Sequence, residues 1–405
     1  MTIKKYFNKY LLIFILFLYF MTLSSYSYAS SQGTFELAGT LDAPWAHISS
    51  LIPLNNGNAF ILQGSQGGHP NRYSIYDAIN RKIIANGTLN QRYDTIYSCP
   101  KAILLDNGSI LIIGSLMRPG NKSDIIPTIT YGELYDPTNN ELTFTEQNLF
   151  PTFSFDMTRL LDGKILIAGG AGSSKKMQIY EPNENKFYQI GNLSEGRYSH
   201  SLALLNNGDV LIIGGSAANA EIFDSKTLKI TKTVPFQTFS YGNDTKTITL
   251  NDGRVFITCI KIYPSTKLSG SDTIFKGFNA VTKKSETSSP GAYMALYNPE
   301  TQEFKELQFH SKKKIQDYDT TLLNDGRVLI TGGKVISGKK YVVLNTAEIF
   351  DPKTNKFIPL KNKMKFARFD HSTITLKNGN VLIIGGNDYK KLQQIKEIEI
   401  FRPSK

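Results

Sequence analysis

The stretch at residues 376–387, LKNGNVLIIGGN, recurs with small changes along the whole chain. Close copies are LLNNGDVLIIGG from Leu204, LLNDGRVLITGG from Leu322 and LLDGKILIAGG from Leu160. An Asn-Gly or Asp-Gly pair between two apolar runs supplies the positive φ angles of a tight hairpin turn. The four apolar residues that follow suit a strand buried on both faces and are too few for a helix.

The glycine of that turn marks seven units along the chain. It recurs roughly every 50 residues, and a fixed period of this length is typical of repeat architectures. The turn glycines are Gly57, Gly108, Gly163, Gly208, Gly253, Gly326 and Gly379. After each turn come an aliphatic-aromatic pair with a polar residue, as in Ile349-Phe350-Asp351, and usually a further apolar residue such as Phe357. We therefore expect four strands in each unit.

The seventh unit shows only three of these strands, because the sequence ends at Lys405 soon after the last aromatic residue. An extended segment at about residues 33–38 offers Phe35 as the missing apolar residue. A ring whose first strand completes its last blade has no open sheet edges. The sequence therefore predicts an all-β fold, a seven-bladed β-propeller of four-stranded antiparallel blades closed by the N-terminal strand.

Three short motifs resemble those of kelch repeats. Aliphatic strands end in paired glycines, a Tyr/Phe-Asp-Pro follows, and Arg-x-x-His-Ser precedes two first strands, at residues 197–201 and 368–372. The glycine pairs are Gly169-Gly170, Gly214-Gly215, Gly332-Gly333 and Gly385-Gly386. Blades 1, 2 and 5 lack the pair. The resemblance covers nearly all of the chain after residue 29, and it implies a structural role for these glycines and for His200 and His371.

The first 29 residues have the order of a secretory signal peptide. Three lysines precede an apolar run at 11–23, and small residues lead to Ala29. We expect cleavage after Ala29, which leaves one domain, residues 30–405, that is exported to the bacterial periplasm or secreted. The apolar run is short for a membrane span, which needs about 20 residues. An uncleaved N-terminal anchor is the alternative.

The chain is basic, with 46 Lys+Arg against 34 Asp+Glu and a formal net charge of +12. An exported basic protein favours anionic partners such as acidic glycans, anionic lipid surfaces or acidic proteins. The alternative is that the charge only keeps the protein in solution. No nucleic acid is expected, membrane contact is expected only with an uncleaved anchor, and we expect a monomer. Cys99 and Cys259 fall in blades 2 and 5, too far apart for a disulfide.

Candidate ligand-binding residues lie in the loops that join second to third strands, because these loops differ most in length. Blade 5 has a large insertion at about residues 261–292, which is interpreted either as a lid or binding platform or as a tolerated surface insertion. Mixed lysine and tyrosine suit contact with carbohydrates or anions. The candidates are Arg118 and Lys122 in blade 2; Lys261, Tyr263, Lys267, Lys276, Lys283 and Lys284 in blade 5; Lys339 and Tyr341 in blade 6; and Tyr389 in blade 7.

Arg197 and Arg368 lie just before first strands, near the expected axial channel, where an arginine could hold a carboxylate in a bidentate manner. The kelch resemblance implies instead that arginine and histidine at these places tie neighbouring blades together. The five histidines show no close pairing of the kind that marks zinc sites, so no metal or cofactor is predicted. Asp156, Asp317 and Asp370 are isolated acids near first strands, and the sequence pairs none of them with a second catalytic group.

These observations predict a binding module that presents a basic loop face to an anionic glycan or a protein partner. The alternative is a periplasmic sugar epimerase or mutarotase resembling the N-acetylneuraminate epimerases, which are kelch enzymes. Its mechanism requires an acid/base pair at the mouth of the channel. The galactose oxidases, a second kelch enzyme family, need a copper site that the sequence does not indicate.

Overall fold

The computed structural model describes the chain from residue 33 to residue 404 with gaps. The described residues are 33–41, 47–64, 71–90, 100–114, 116–119, 125–128, 131–147, 154–170, 174–215, 217, 219–236, 245–261, 291–308, 315–337, 340–388 and 393–404. They form 34 strands and no helix, so the all-β expectation is confirmed for this part of the chain. Accordingly, no described segment is an apolar helix of membrane-spanning length. The predicted leader, residues 1–29, lies outside the described residues.

Most of the described strands, numbered in chain order, form seven antiparallel sheets, each with a path of four strands. The first sheet holds β2 (Ile48–Pro53), β3 (Ala59–Gln63), β4 (Arg72–Asp77) and β5 (Lys82–Thr88). The second holds β6 (Lys101–Leu104), β7 (Ile110–Ile113), β10 (Tyr131–Asp136) and β11 (Glu141–Gln147). The third holds β12 (Asp156–Arg159), β13 (Ile165–Ala168), β14 (Lys176–Glu181) and β15 (Lys186–Asn192). The fourth holds β16 (His200–Leu204), β17 (Val210–Gly214), β18 (Asn219–Asp224) and β19 (Lys229–Pro235).

The remaining three sheets follow the same order. The fifth holds β20 (Lys246–Thr249), β21 (Val255–Lys261), β22 (Gly291–Asn298) and β23 (Glu303–Glu306). The sixth holds β25 (Asp319–Leu322), β26 (Val328–Thr331), β29 (Ala347–Asp351) and β30 (Lys356–Pro359). The seventh holds β31 (Phe369–Thr375), β32 (Val381–Asp388), β34 (Glu397–Arg402) and β1 (Thr34–Thr40), with the short β33 (Gln393–Gln394) beside β32.

Two further hairpins lie between second and third strands. In the second sheet this connection contains β8 (Leu116–Pro119) paired with β9 (Ile125–Thr128). In the sixth sheet it contains β27 (Lys334–Ser337) and β28 (Lys340–Val343), which form a small sheet with β24 (Ile315–Gln316). The insertion in the fifth sheet leaves from β21 and returns at β22, and residues 262–290 lie outside the described residues.

The repeated Asn/Asp-Gly stretch forms the turn between the first and second strands. All seven turn glycines have φ between 82° and 91°, a region that favours glycine. In the last repeat the Gly379 N–H donates to the Leu376 carbonyl at 2.8 Å, and the same bond recurs in the other six. The same turn glycine and the same hydrogen bond therefore form the turn in every unit.

The core lies between the sheets. Among the described residues, seven apolar clusters are each built from two successive sheets, and one of them joins the seventh sheet to the first. The second strands contact a neighbour on both faces, and Val210–Gly214 is buried throughout. This explains why these strands are continuous apolar runs rather than alternating ones. Cys259 lies buried in the cluster between the fourth and fifth sheets, while Cys99 lies outside the described residues.

The first described strand, β1, is the outer strand of the seventh sheet. It runs antiparallel to β34, with Phe35 opposite Phe401 and Glu36 opposite Ile400. The two phenylalanine rings lie 4.9 Å apart between centroids. The Tyr76 hydroxyl of the first sheet donates to the Ala38 carbonyl at 2.8 Å. The segment in which the sequence predicts a closing strand thus joins the seventh sheet to the first.

Candidate functional site

All first strands begin at the same end of their sheets. In the third sheet Asp156, the first residue of β12, lies opposite Ala168 at the end of β13, and Ala168 lies opposite Met177 near the start of β14. The start of a first strand therefore shares an end with the second-to-third connection. We call this end the upper face; the glycine turns lie at the opposite end, the lower face.

An aspartate joins three first strands at the upper face. Asp156 of the third sheet accepts a hydrogen bond from the Lys101 ammonium of the second sheet at 2.5 Å. Its other oxygen accepts the Leu202 N–H of the fourth sheet at 2.8 Å. The aspartate side chain is 15% exposed and the lysine side chain 37% exposed. The aspartate therefore holds the lysine ammonium on one side, while part of the lysine side chain remains exposed to solvent.

The same arrangement occurs in the next three sheets. Asp319 of the sixth sheet accepts from Lys246 of the fifth at 2.5 Å, and its other oxygen accepts from the Thr373 N–H of the seventh at 2.5 Å. Here the aspartate is 7% exposed and the lysine 46%. Burial alone would raise the pKa of Asp319, but the positive charge of Lys246 and its hydrogen bonds lower it below its usual value. Asp319 is therefore an ionised partner of the lysine.

A buried histidine lies beside each aspartate. His200 and His371 are both 3% exposed, and burial lowers the pKa of each to about 3. The Nε2 of His371 lies 2.8 Å from the Thr331 hydroxyl of the sixth sheet. Both imidazoles are therefore neutral near pH 7, and His371 ties the seventh sheet to the sixth.

Arg197 and Arg368 lie in the interior and not on the upper face. Each side chain is fully buried and forms an ion pair with a fully buried glutamate of its own sheet, Arg197 with Glu221 at 2.5 Å and Arg368 with Glu399 at 2.8 Å. Each glutamate also accepts a backbone N–H from the segment before its arginine. In this structure the carboxylate that each arginine binds belongs to the protein itself.

Two of the four glycine pairs, Gly169-Gly170 and Gly332-Gly333, lie against the arginine segment of the next sheet. Gly170 N–H donates to the Arg197 carbonyl and Gly333 N–H to the Arg368 carbonyl, both at 2.8 Å. A Cβ on Gly332 would lie only 2.4 Å from that Arg368 carbonyl. The pair is thus a place where two sheets approach too closely for a side chain. A Cβ would also be crowded by the next sheet at Gly169, Gly214 and Gly385, and by the arginine segment of the same sheet at Gly215 and Gly386.

The remaining candidates divide into two groups. Arg118 is on β8 and Tyr341 is on β28, both within second-to-third connections of the upper face, and Lys261 ends β21, where such a connection begins. Tyr341 is 52% exposed. The others lie outside the described residues: Lys122, Tyr263, Lys267, Lys276, Lys283, Lys284, Lys339 and Tyr389.

The acids named from the sequence have partners. Asp156 binds Lys101, and Asp317 forms an ion pair with Lys334 of β27. Asp370 is exposed, and its N–H donates to the Asp317 carbonyl at 3.0 Å. Within the described ranges, no group of three or more His, Cys, Asp or Glu side chains is placed to hold a metal ion.

A cavity of about 550 Å³ lies further along the first strands, towards the lower face. Its walls come from the third, fourth and fifth sheets and include the side chains of Thr158, Asn206, Thr247 and Thr249 among aliphatic residues. The lining residues are uncharged. The cavity is therefore chemically different from the lysine-aspartate pairs at the upper face.

No protein-family model matches the chain. Part of it is similar to the N-acetylneuraminate epimerase of Vibrio vulnificus, with 25% identity over 169 residues, 35% of this chain and 44% of that protein. Another part is similar to human Kelch-like protein 24, with 28% identity over 121 residues, 29% of this chain and 19% of that protein. The matched regions thus span less than half of either relative.

Two solved structures share the fold over most of the chain. A fungal alcohol oxidase of the AA5 family, in complex with copper, superposes with a TM-score of 0.59 at 15% identity and covers 93% of this chain and 76% of that one. A streptogramin B lyase superposes with a TM-score of 0.57 at 11% identity, and the match covers 93% of this chain and 99% of that one. At these identities the likeness concerns the fold alone. Together the two superpositions and the four-stranded sheets show a β-propeller fold, and the glycine pairs and repeated turns resemble those of kelch repeats, in line with the partial match to Kelch-like protein 24.

Proposed function

We propose that the chain is a binding module that holds an anionic partner, a glycan or a protein, on its upper face. The observation that carries the proposal is the repeated lysine-aspartate pair, Lys101 with Asp156 and Lys246 with Asp319. Each lysine is held by its aspartate and is partly exposed to solvent, 37% for Lys101 and 46% for Lys246. An ammonium group has three N–H donors and can bind a ligand carboxylate, sulfate or hydroxyl oxygen as well as the aspartate, and the lysine is already positioned before binding.

The surroundings of the pairs support an anionic ligand. The second-to-third connections of the second, fifth and sixth sheets all leave from the upper face, and they contain most of the basic and tyrosine candidates. The net charge, +12 for the full sequence and still positive without the three lysines of residues 1–29, adds long-range attraction for anions. The leader-like order of residues 1–29 supports an exported protein that is cleaved after Ala29 and meets its partner outside the cytoplasm.

A sugar epimerase or mutarotase is the second candidate, and the partial match to an N-acetylneuraminate epimerase favours it. Epimerisation and mutarotation both require proton transfer, at a sugar carbon or at the anomeric and ring oxygens, by a group whose pKa lies near the working pH. The lowered pKa of Asp319 does not meet this need, and Arg197 and Arg368 are bound inside their sheets. The described residues therefore support binding better than epimerisation.

One experiment separates the two candidates. The full chain is applied to an array of anionic and neutral glycans and of acidic and neutral peptides, at low and at physiological salt. We expect retention of anionic members that weakens with salt, because exposed charges are screened. In parallel, the chain is added to freshly dissolved N-acetylneuraminate, and NMR follows the rate at which its anomers reach their equilibrium ratio, with and without the chain. Equal retention of neutral and anionic members contradicts the binding proposal, and faster equilibration in the presence of the chain supports the enzyme.

A further inference from the structure

The β27–β28 hairpin exposes apolar side chains on both of its faces. Ile336 and Tyr341 lie directly opposite one another and share one face, whereas Val342 belongs to the other face. Their exposed fractions are 43% for Ile336, 52% for Tyr341 and 46% for Val342. A strand with exposed apolar residues is a site at which another chain can pair. A sugar ring stacked on Tyr341 would cover one face only, whereas an added strand lies along both.

The hairpin is held firmly at its base. Gly333 N–H donates to the Arg368 carbonyl, Leu344 N–H to the Gly333 carbonyl and Arg368 N–H to the Leu344 carbonyl, at 2.8 Å to 3.0 Å. The Lys334 ammonium forms an ion pair with Asp317 and lies 4.4 Å from the Phe369 ring centroid and 5.1 Å from that of Tyr341. The hairpin is therefore preorganised, so ordering it on binding costs little free energy.

The register indicates which main-chain groups of β28 point outwards. Ser337 lies opposite Lys340 with two residues between them, so the pair flanking this turn is hydrogen-bonded. Hydrogen-bonded and non-bonded pairs alternate along an antiparallel ladder. Ile336–Tyr341 and Lys334–Val343 are then non-bonded pairs. The N–H and C=O of Tyr341 and Val343 therefore point away from β27, and β28 is the outer strand of its sheet among the described residues.

We infer that β28 receives an extended, acidic and apolar segment of a partner protein as an additional strand. This rests on the proposed binding function and names a protein as the partner. Main-chain bonds to Tyr341 and Val343 would supply affinity, and apolar side chains of the segment would cover the exposed hairpin residues. Acidic residues are expected because Lys340 is exposed on the same strand and the chain is basic.

The test is a selection from a displayed library of random dodecapeptides on the full chain. We expect enriched peptides that alternate acidic with β-branched or aromatic residues. Val343→Pro removes an outward N–H and leaves the hairpin bonds, a substitution that edge strands tolerate. It should weaken binding of the enriched peptides at least tenfold, whereas the matched Val343→Thr should change it less than about twofold.

A second measurement does not depend on how well the proline variant folds. Hydrogen exchange of the unaltered chain should show slower exchange at the Tyr341 and Val343 amides when an enriched peptide is added. No enrichment, unchanged exchange at both amides, or equal binding by the proline variant would overturn the inference. The array could still retain anionic glycans or peptides after each of these results. Failure of the strand addition is therefore distinguishable from failure of the binding function.

Discussion

Lys246 of the fifth sheet and Asp319 of the sixth lie 2.5 Å apart between ammonium and carboxylate, although 73 residues separate them in the sequence. Lys101 and Asp156, 55 residues apart, repeat this contact between the second and third sheets. In both cases the second carboxylate oxygen binds the backbone of the following sheet. The upper face thus contains two copies of one three-sheet arrangement, and each presents a fixed lysine.

Removing one partner of a buried ion pair should destabilise the fold, whereas replacing both partners by apolar residues should not. Removing one partner of a buried pair costs about 3–5 kcal/mol, because the other charge is left without compensation. We expect Arg197→Met to lower the free energy of unfolding by this amount and Arg197→Met with Glu221→Leu to recover most of it. Denaturant unfolding measures both. If the double variant is as unstable as the single one, the pair does not account for the stability of this connection.

The two buried histidines should make stability depend on pH. Burial lowers the pKa of His200 and His371 to about 3, whereas an unfolded histidine titrates near 6.5. The unfolded state therefore binds more protons between these values, so the contribution is complete above pH 6.5 and is lost as the pH falls towards 3. Between pH 7.5 and pH 5 we expect a loss of about 2 kcal/mol per histidine.

The variant His371→Gln isolates one of these contributions. Between pH 7.5 and pH 5 its free energy of unfolding should fall by about 2 kcal/mol less than that of the unaltered chain, which is the contribution of one histidine. Chemical unfolding at the two pH values gives the difference. An identical pH dependence in the variant and the unaltered chain would mean that His371 is not a titrating source of the effect.

The glycine pairs should tolerate alanine far less well than the turn glycines. At Gly332 a Cβ would meet the Arg368 carbonyl at 2.4 Å with φ at 60°, whereas at Gly57, with φ at 90°, nothing lies within 4 Å. Gly57→Ala should cost only the backbone strain, about 1 kcal/mol, and Gly332→Ala at least twice that. Thermal unfolding compares the two directly. Equal losses would show that close approach of the sheets is not the reason for the pair.

The insertion in the fifth sheet can be removed at a defined place. Lys261 and Gly291 lie opposite one another at the ends of β21 and β22, so Asn-Gly can replace residues 262–290 as a hairpin turn. We expect the shortened chain to keep its thermal unfolding midpoint and to lose affinity for the ligands retained on the array. Unchanged affinity would favour the interpretation as a tolerated surface insertion.

The fold could be predicted largely from sequence because each repeat contains its own turn and apolar strands. The site could not be predicted in the same way. Asp156 and Asp317 were recognised as acids near first strands, but their lysine partners lie elsewhere in the chain, on another sheet or on β27, so no local pattern joins them. Asp319, two residues after Asp317, was missed for the same reason.

The buried glutamates left a signal that sequence reasoning could have used. Glu221, Glu348 and Glu399 each lie two residues before the aromatic residue of a third strand, in Glu-Ile-Phe, but only the sheets of Glu221 and Glu399 also have Arg-x-x-His-Ser. An acid within an apolar strand is expected to have a buried partner. That pairing would have indicated an interior role for Arg197 and Arg368.

The central claim is that the two fixed lysines bind an anionic partner. The most direct test compares two variants of equal net charge against the anionic ligand retained best on the array. One combines Lys101→Met and Asp156→Asn with Lys246→Met and Asp319→Asn, so that no buried carboxylate is left alone. The control makes the same four changes in turns of the lower face, at Asp224, Lys226, Asp351 and Lys353.

Isothermal titration calorimetry at physiological salt gives the affinities. A hydrogen bond to a charged group contributes about 1.5–3 kcal/mol, and 1.4 kcal/mol is tenfold in affinity. The account predicts at least a tenfold loss in the upper-face variant and less than about a twofold change in the control. Equal affinities in the two variants would contradict it.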